Sequence, residues 1–187
     1  WQHRWFRVAS YAAGALLLLW LLVWLTLGLN LPSVERLKSY EPPLPTHVRG
    51  YDGTPVHSYA RERRVQLKFE EYPKDLVNAF LAAEDRTFFS HGGLDYPGIV
   101  AAIFTNLTTS GRPVGASTIT QQVAKNLLLT SEATYVRKAK EAILAMRIEQ
   151  TLTKEQILEL YLNQIALGRN SFGVQAASRA YFGKDVD

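Results

Sequence analysis

The strongest constraint on this chain lies at its start, where 27 consecutive residues, Val8 to Val34, carry no charged side chain. A helix needs about 20 apolar residues to cross the hydrocarbon core of a bilayer, so the run is long enough to span one. Its centre, Leu16-Leu17-Leu18-Leu19-Trp20-Leu21-Leu22-Val23-Trp24-Leu25, is too apolar for a helix lying on a surface. A cleavable signal peptide would have a shorter apolar region, about 7–15 residues, followed by a small-residue cleavage site. Here the run ends in Gly28-Leu29-Asn30-Leu31-Pro32. We therefore expect an uncleaved transmembrane helix over residues 8–31. Arg4 and Arg7 precede it, which by the positive-inside rule puts residues 1–7 in the cytoplasm and the chain beyond Pro32 outside.

Residues 32–45 contain Pro32, Pro42, Pro43 and Pro45 and read as a stalk leaving the membrane. Thr46 to Phe69 alternates apolar and polar residues around Asp52-Gly53, the signature of a hairpin with a two-residue turn. After Pro73 the period becomes helical. Helices are expected from Pro73 to about His91, from Pro97 to about Thr108, from about Thr118, and from Thr134 to about Leu152. A last one opens on the capping box Thr153-Lys154-Glu155-Gln156 and ends near Gly168. Gly111 to Gly115 reads as a loop. These elements make a mostly α domain over residues 46–187, with one small β-hairpin. The helix around Ile103 is apolar nearly all round, so it is either buried or in contact with lipid.

Composition sets wider bounds. Hydrophobic residues at 47% and charged residues at 20% argue against disorder, and the absence of cysteine excludes a disulfide scaffold or a thiolate metal site. A net charge of +4 fits anionic lipid, phosphate or nucleic acid equally well, so the placement of the cations has to decide.

Two carboxylates stand out. Glu84 shares a helical face with Leu76, Val77, Phe80, Leu81 and Phe88, and a carboxylate on such a stripe would be desolvated and made a better general base. The alternative is an ordinary solvated glutamate. Glu141 follows Arg137 and Lys138 by four and three residues, so two cations share its face; an exposed salt-bridge ladder is the simpler reading. Gly115 to Asn126 is a small-residue loop opening a helix, with Thr118 and Gln121 able to form a capping box. Such a start attracts anions such as phosphate, with Lys125 adding charge further along; a plain helix cap fits equally well.

In this order the segments resemble the glycosyltransferase domain of class A penicillin-binding proteins and monofunctional peptidoglycan glycosyltransferases. The stretches that carry the likeness are Glu84 to Gly93, Gly115 to Asn126, Arg137-Lys138-Ala139-Lys140-Glu141, Lys154 to Asn163, and Gly168 through Gly173 to Lys184. Ala116 replaces a glycine usual in the second motif, and Ala133 stands where many members carry an arginine that helps hold a diphosphate. The family's domain continues with further helices beyond the position of Asp187, so we expect residues 46–187 to be C-terminally incomplete.

What the resemblance implies is a lysozyme-like α-helical lobe with a membrane-facing jaw that polymerises lipid II into β-1,4-linked glycan, with inversion and release of undecaprenyl diphosphate. Glu84 would take the proton from the acceptor 4-hydroxyl. Lys125, Arg137, Lys138 and Lys140 would stabilise the leaving diphosphate, with Glu141 holding them or binding a divalent cation (Mg2+ or Mn2+) that is not obligatory. Asp85, His91, Ser117, Thr118, Gln121, Gln122 and Asn126 would bind substrate. Implied partners are lipid II, the growing strand, the bilayer and other cell-wall synthesis or division proteins. The implied location is the bacterial inner membrane, with the domain on its outer face.

A lysozyme-type hydrolase shares the fold, yet it needs a protonated acid and usually a second carboxylate within about 5–10 Å, and has no use for a basic cluster. A non-catalytic membrane scaffold would not need Glu84. Nucleic-acid binding is disfavoured, because the cations face an exported compartment and no aromatic platform accompanies them.

Overall fold

A computed structural model describes residues 2–28, 31–41, 46–59, 63–130 and 134–186, and in it the apolar run forms one helix, α1 (Gln2–Gly28). Its segment Arg4–Leu22 is long and apolar enough to cross a membrane and is not buried against the rest of the chain. At the far end Gly28 is buried, and its carbonyl accepts a hydrogen bond from the Arg147 guanidinium at 3.1 Å. A cation there complements the negative end of the helix dipole.

The segment that follows is docked rather than a free stalk. Val34 and Leu37, three residues apart in a short 3₁₀ turn, present one side to the domain and are buried in its core. Pro42, Pro43 and Pro45 lie outside the described residues.

Strands β1 (Thr46–Arg49) and β2 (Pro55–Tyr59) form the expected antiparallel hairpin, with a different turn. Gly50 N–H donates to Thr54 O and Gly53 N–H to Gly50 O, so the loop is Tyr51-Asp52-Gly53 rather than Asp52-Gly53 alone. Asp52 Oδ1 accepts from both the amide and the hydroxyl of Thr54, a local closure that leaves only Gly53, at φ +81°, in the left-handed region. A second, unforeseen pair joins β3 (Arg63–Arg64) in parallel to β4 (Ser171–Phe172). Strands of two residues are too short for a periodic signal.

Among the described residues six helices build the domain: α2 (Lys74–Glu84), α3 (Tyr96–Thr108), α4 (Ile119–Leu128), α5 (Tyr135–Thr151), α6 (Lys154–Gln164) and α7 (Val174–Phe182). The architecture is mostly α, as expected. Helix α7 was not foreseen, although Gly173 and Gly183 bracket it and its C-terminal Gly183 adopts φ +70°. Thr118–Gln121 and Thr153–Gln156 both form capping boxes. Helix α4 lies at the centre, packed on α5 and α6. Ile119, Ala124, Leu144, Ile148, Ile157, Leu158, Leu162 and Phe88 are all fully buried there. Each large side chain among them contributes about 1.5–3 kcal/mol by leaving water. This core fixes the ends of α2, α4 and α5 relative to one another.

Candidate active site

On α2, Val77 is buried and Phe80 and Leu81 are half-buried, so the stripe predicted for this helix does face the core. Glu84 does not follow it inside. The helix stops at Glu84, where Asp85 turns the chain with φ −161° and ψ 79°, and Phe88 falls in a separate 3₁₀ turn. The Glu84 carboxylate is therefore exposed, which corrects the expectation that the fold shields it. Its Oε2 accepts a hydrogen bond from Gln122 Nε2 of α4 at 2.8 Å. Behind it, the Tyr161 ring packs edge-on against Phe80, and its phenol is pushed above the ordinary tyrosine range, first by burial and then by the Glu84 charge.

Glu84 lines a cleft of about 540 Å³ between the end of α2, helix α3 and the loop entering α4, where Asp85, Asp95, Ala101 and Ser117 are among its neighbours. The two aspartates are already engaged. Asp95 accepts from Gly98 N–H and the Thr87 hydroxyl. Asp85 is buried, with both carboxylate oxygens 3.0 Å from His91 Nε2, and its Oδ2 accepts from Ile119 N–H at 3.0 Å. The start of α4, where a phosphate was one expectation, thus already holds an anion, the side chain of Asp85. Gly93 N–H donates to His91 Nδ1, so in the neutral ring the proton sits on Nε2 and points at Asp85.

Thr118 and Gln121 are buried and occupied by the cap, with the Thr118 hydroxyl also donating to Gly93 O at 2.7 Å. Lys125 and Asn126 are exposed on α4, three and four positions beyond Gln122 and so on its side of the helix.

The second carboxylate is the buried one. Glu141 is 2% exposed and lies on the inward stripe of α5 with Leu144, Ala145 and Ile148, so it is not part of an exposed ladder. Lys138 Nζ donates to its Oε2 at 2.8 Å, and Arg137 Nη1 lies 3.5 Å from Oε1. Lys138 Nζ also donates to Ser117 Oγ at 2.7 Å, which joins this ion cluster to the cleft that Glu84 lines. Among the described residues, Glu141 Oε1 and Arg137 Nε are buried and have no hydrogen-bond partner. Lys140 is half-buried, about 100° around the helix from Glu141, and faces elsewhere. Ala133 lies outside the described residues.

A resident divalent cation does not fit this donor set. Among the described residues no three His, Cys, Asp or Glu side chains converge, and the oxygens of Glu141 already face two cations.

Sequence reasoning assigned no role to Glu149 or Lys154. They form an ion pair at 2.7 Å, largely enclosed, beneath the first-motif loop. Nothing in local spacing announces it, because its partners come from four segments. On the opposite side of the cleft, α3 exposes Tyr96, Val100, Ile103, Phe104 and Leu107.

The sequence matches the family described as Transglycosylase over residues 52–187. A protein named penicillin-binding protein 1A from Neisseria cinerea is 47% identical over 157 residues, 84% of this chain and 20% of that protein. Its namesake from Rickettsia felis is 48% identical over 161 residues, with the same coverage. That from Haemophilus influenzae is 49% identical over 143 residues, 76% of this chain and 17% of that protein. The chain spans about a fifth of the length of the curated relatives it matches.

Proposed function

The chain belongs to the transglycosylase family, and from that premise we propose that it is a peptidoglycan glycosyltransferase that polymerises lipid II in cell-wall synthesis. The observation that carries the reading is one cleft shared by an acid and a cation cluster: Glu84 and Ser117 both line it, and Ser117 is bonded to Lys138 beside buried Glu141.

Glu84 takes the proton of the acceptor 4-hydroxyl as its oxygen attacks the anomeric carbon of the donor. The C–O bond to the diphosphate breaks, with inversion to a β-1,4 linkage. The leaving group carries its own charge, so it calls for cations rather than a proton donor. Lys138 and Arg137 are placed to meet it, with Lys125 on the facing helix, and Glu141 holds the first two in position. The exposure of Glu84 in the free chain suits a lipid-linked substrate, since its arrival excludes water from the carboxylate. The other cleft carboxylates, Asp85 and Asp95, are held in structural hydrogen bonds, so among the described residues the cleft offers no second free acid for hydrolysis.

Helix α1 anchors the chain in the membrane, with its N-terminus cytoplasmic and the domain outside, and the exposed apolar side of α3 rests on the bilayer where the substrate lies.

The test is purified chain in detergent with labelled lipid II. Polymer is expected, and Glu84→Gln should lower its rate by about 10³-fold or more while lipid II binding persists. Near-normal turnover in that variant removes Glu84 as the base, and shortening of pre-formed glycan would favour a hydrolase.

A further inference from the structure

Lys154 opens α6 beneath the loop that carries the first motif, and its surroundings are more specific than an ordinary ion pair. Its Nζ donates to Glu149 Oε1 at 2.7 Å and to the His91 carbonyl at 2.7 Å, and sits 4.3 Å above the Phe88 ring. Glu149 Oε1 also accepts from the Thr120 hydroxyl, in the first turn of α4, at 2.6 Å. The two charged side chains are 19% and 9% exposed. One cation thus ties the joint between α5 and α6 to both the first-motif loop and the start of α4.

From His91 the connection continues to the mouth of the cleft. His91 Nε2 meets Asp85, Asp85 accepts from Ile119 N–H, and α4 carries Gln122, whose amide donates to Glu84. We infer that Lys154 and Glu149 are a positioning pair for Glu84, setting its place through His91, Asp85 and α4. This rests on the reading of Glu84 as the base. A buried ion pair is a weak stabiliser beside apolar side chains of equal volume. What it supplies here is direction, through short hydrogen bonds to two further segments, the His91 loop and the start of α4. A catalytic group displaced by about 1 Å can lose on the order of 100-fold in rate, so fixing this frame matters more to turnover than to stability.

The experiment uses the full chain in detergent micelles, labelled with 15N-histidine, comparing wild type with Lys154→Met, Lys154→Arg and Glu149→Gln. In the wild type the His91 ring should report a single tautomer with the proton on Nε2. Lys154→Met is expected to shift or average those signals and to lower kcat for lipid II polymerisation by about 10- to 100-fold, with KM changed by less than about twofold. Lys154→Arg should restore most of kcat. A folded Lys154→Met chain with unchanged kcat and unchanged His91 signals overturns the inference. Should Lys154→Met fail to fold, Glu149→Gln, which keeps the shape and an acceptor, decides on the same two readouts. Absence of polymerisation by the wild type would count against the proposed reaction alone, since the His91 signals still test the positioning chain.

Discussion

Removing the Glu141 carboxylate tests whether the ion cluster is built into the fold or only decorates it. Glu141 is 2% exposed, 2.8 Å from Lys138 Nζ and 3.5 Å from Arg137 Nη1. At an effective dielectric of about 20, a contact of that length is worth roughly 6 kcal/mol of gross attraction, most of it offset by the cost of desolvating the charges. Taking away one partner of a fully buried pair costs about 3–5 kcal/mol. Here Lys138 is 48% exposed and can swing into water, whereas Arg137 at 23% cannot escape as readily, so we expect the lower end, about 3 kcal/mol. For a chain of this size that corresponds to roughly 6–12 °C in Tm. Glu141→Ala should show it in thermal unfolding followed by far-UV circular dichroism in mild detergent. Glu141→Gln, which keeps the volume and an acceptor for Lys138, should lose about half as much. Polymerisation should fall in both, because Lys138 and Arg137 lose the group that aims them. A Tm for Glu141→Ala within about 2 °C of wild type would refute the buried-hub reasoning.

Asp85→Asn removes the negative charge at the start of α4 and should cost about 1–2 kcal/mol, seen as roughly tenfold faster hydrogen exchange of the Ile119 amide. Gly93→Ala should destabilise by roughly 3 kcal/mol or more, because φ is +98° and a Cβ would lie 2.7 Å from the Ala145 carbonyl oxygen; a normal melting curve would contradict the geometry. Placing a charge on the exposed side of α3, as in Leu107→Asp, should weaken polymerisation of bilayer-embedded lipid II while leaving Tm within about 2 °C, since Leu107 is 81% exposed.

The apolar N-terminal helix, the mostly α class, the two capping boxes and the family motifs could all be read along the chain. Each is a local or periodic pattern: an uncharged run, a 3.6-residue spacing, a Thr followed three residues later by Gln. The two acids show where such reading stops. An apolar stripe was expected to bury Glu84, and the stripe is there, but the helix ends at that residue and leaves its carboxylate in the cleft. Glu141 lies on an equally legible stripe with Leu144, Ala145 and Ile148, yet its basic neighbours suggested an exposed ladder. The β3–β4 pair joins segments more than a hundred residues apart and leaves no mark at either end.

Local chain chemistry therefore decided which helices form and which residues they carry, because caps and apolar periodicity act over a few residues. Tertiary packing decided what those residues do. Where α2 stops depends on a carboxylate that reaches across to His91 and to the first amide of α4, and the Lys138–Ser117 bond exists only once α5 is laid against the loop before α4. Hydrogen bonds between segments are directional and short-ranged, so they become visible only when the fold has brought their donors and acceptors together.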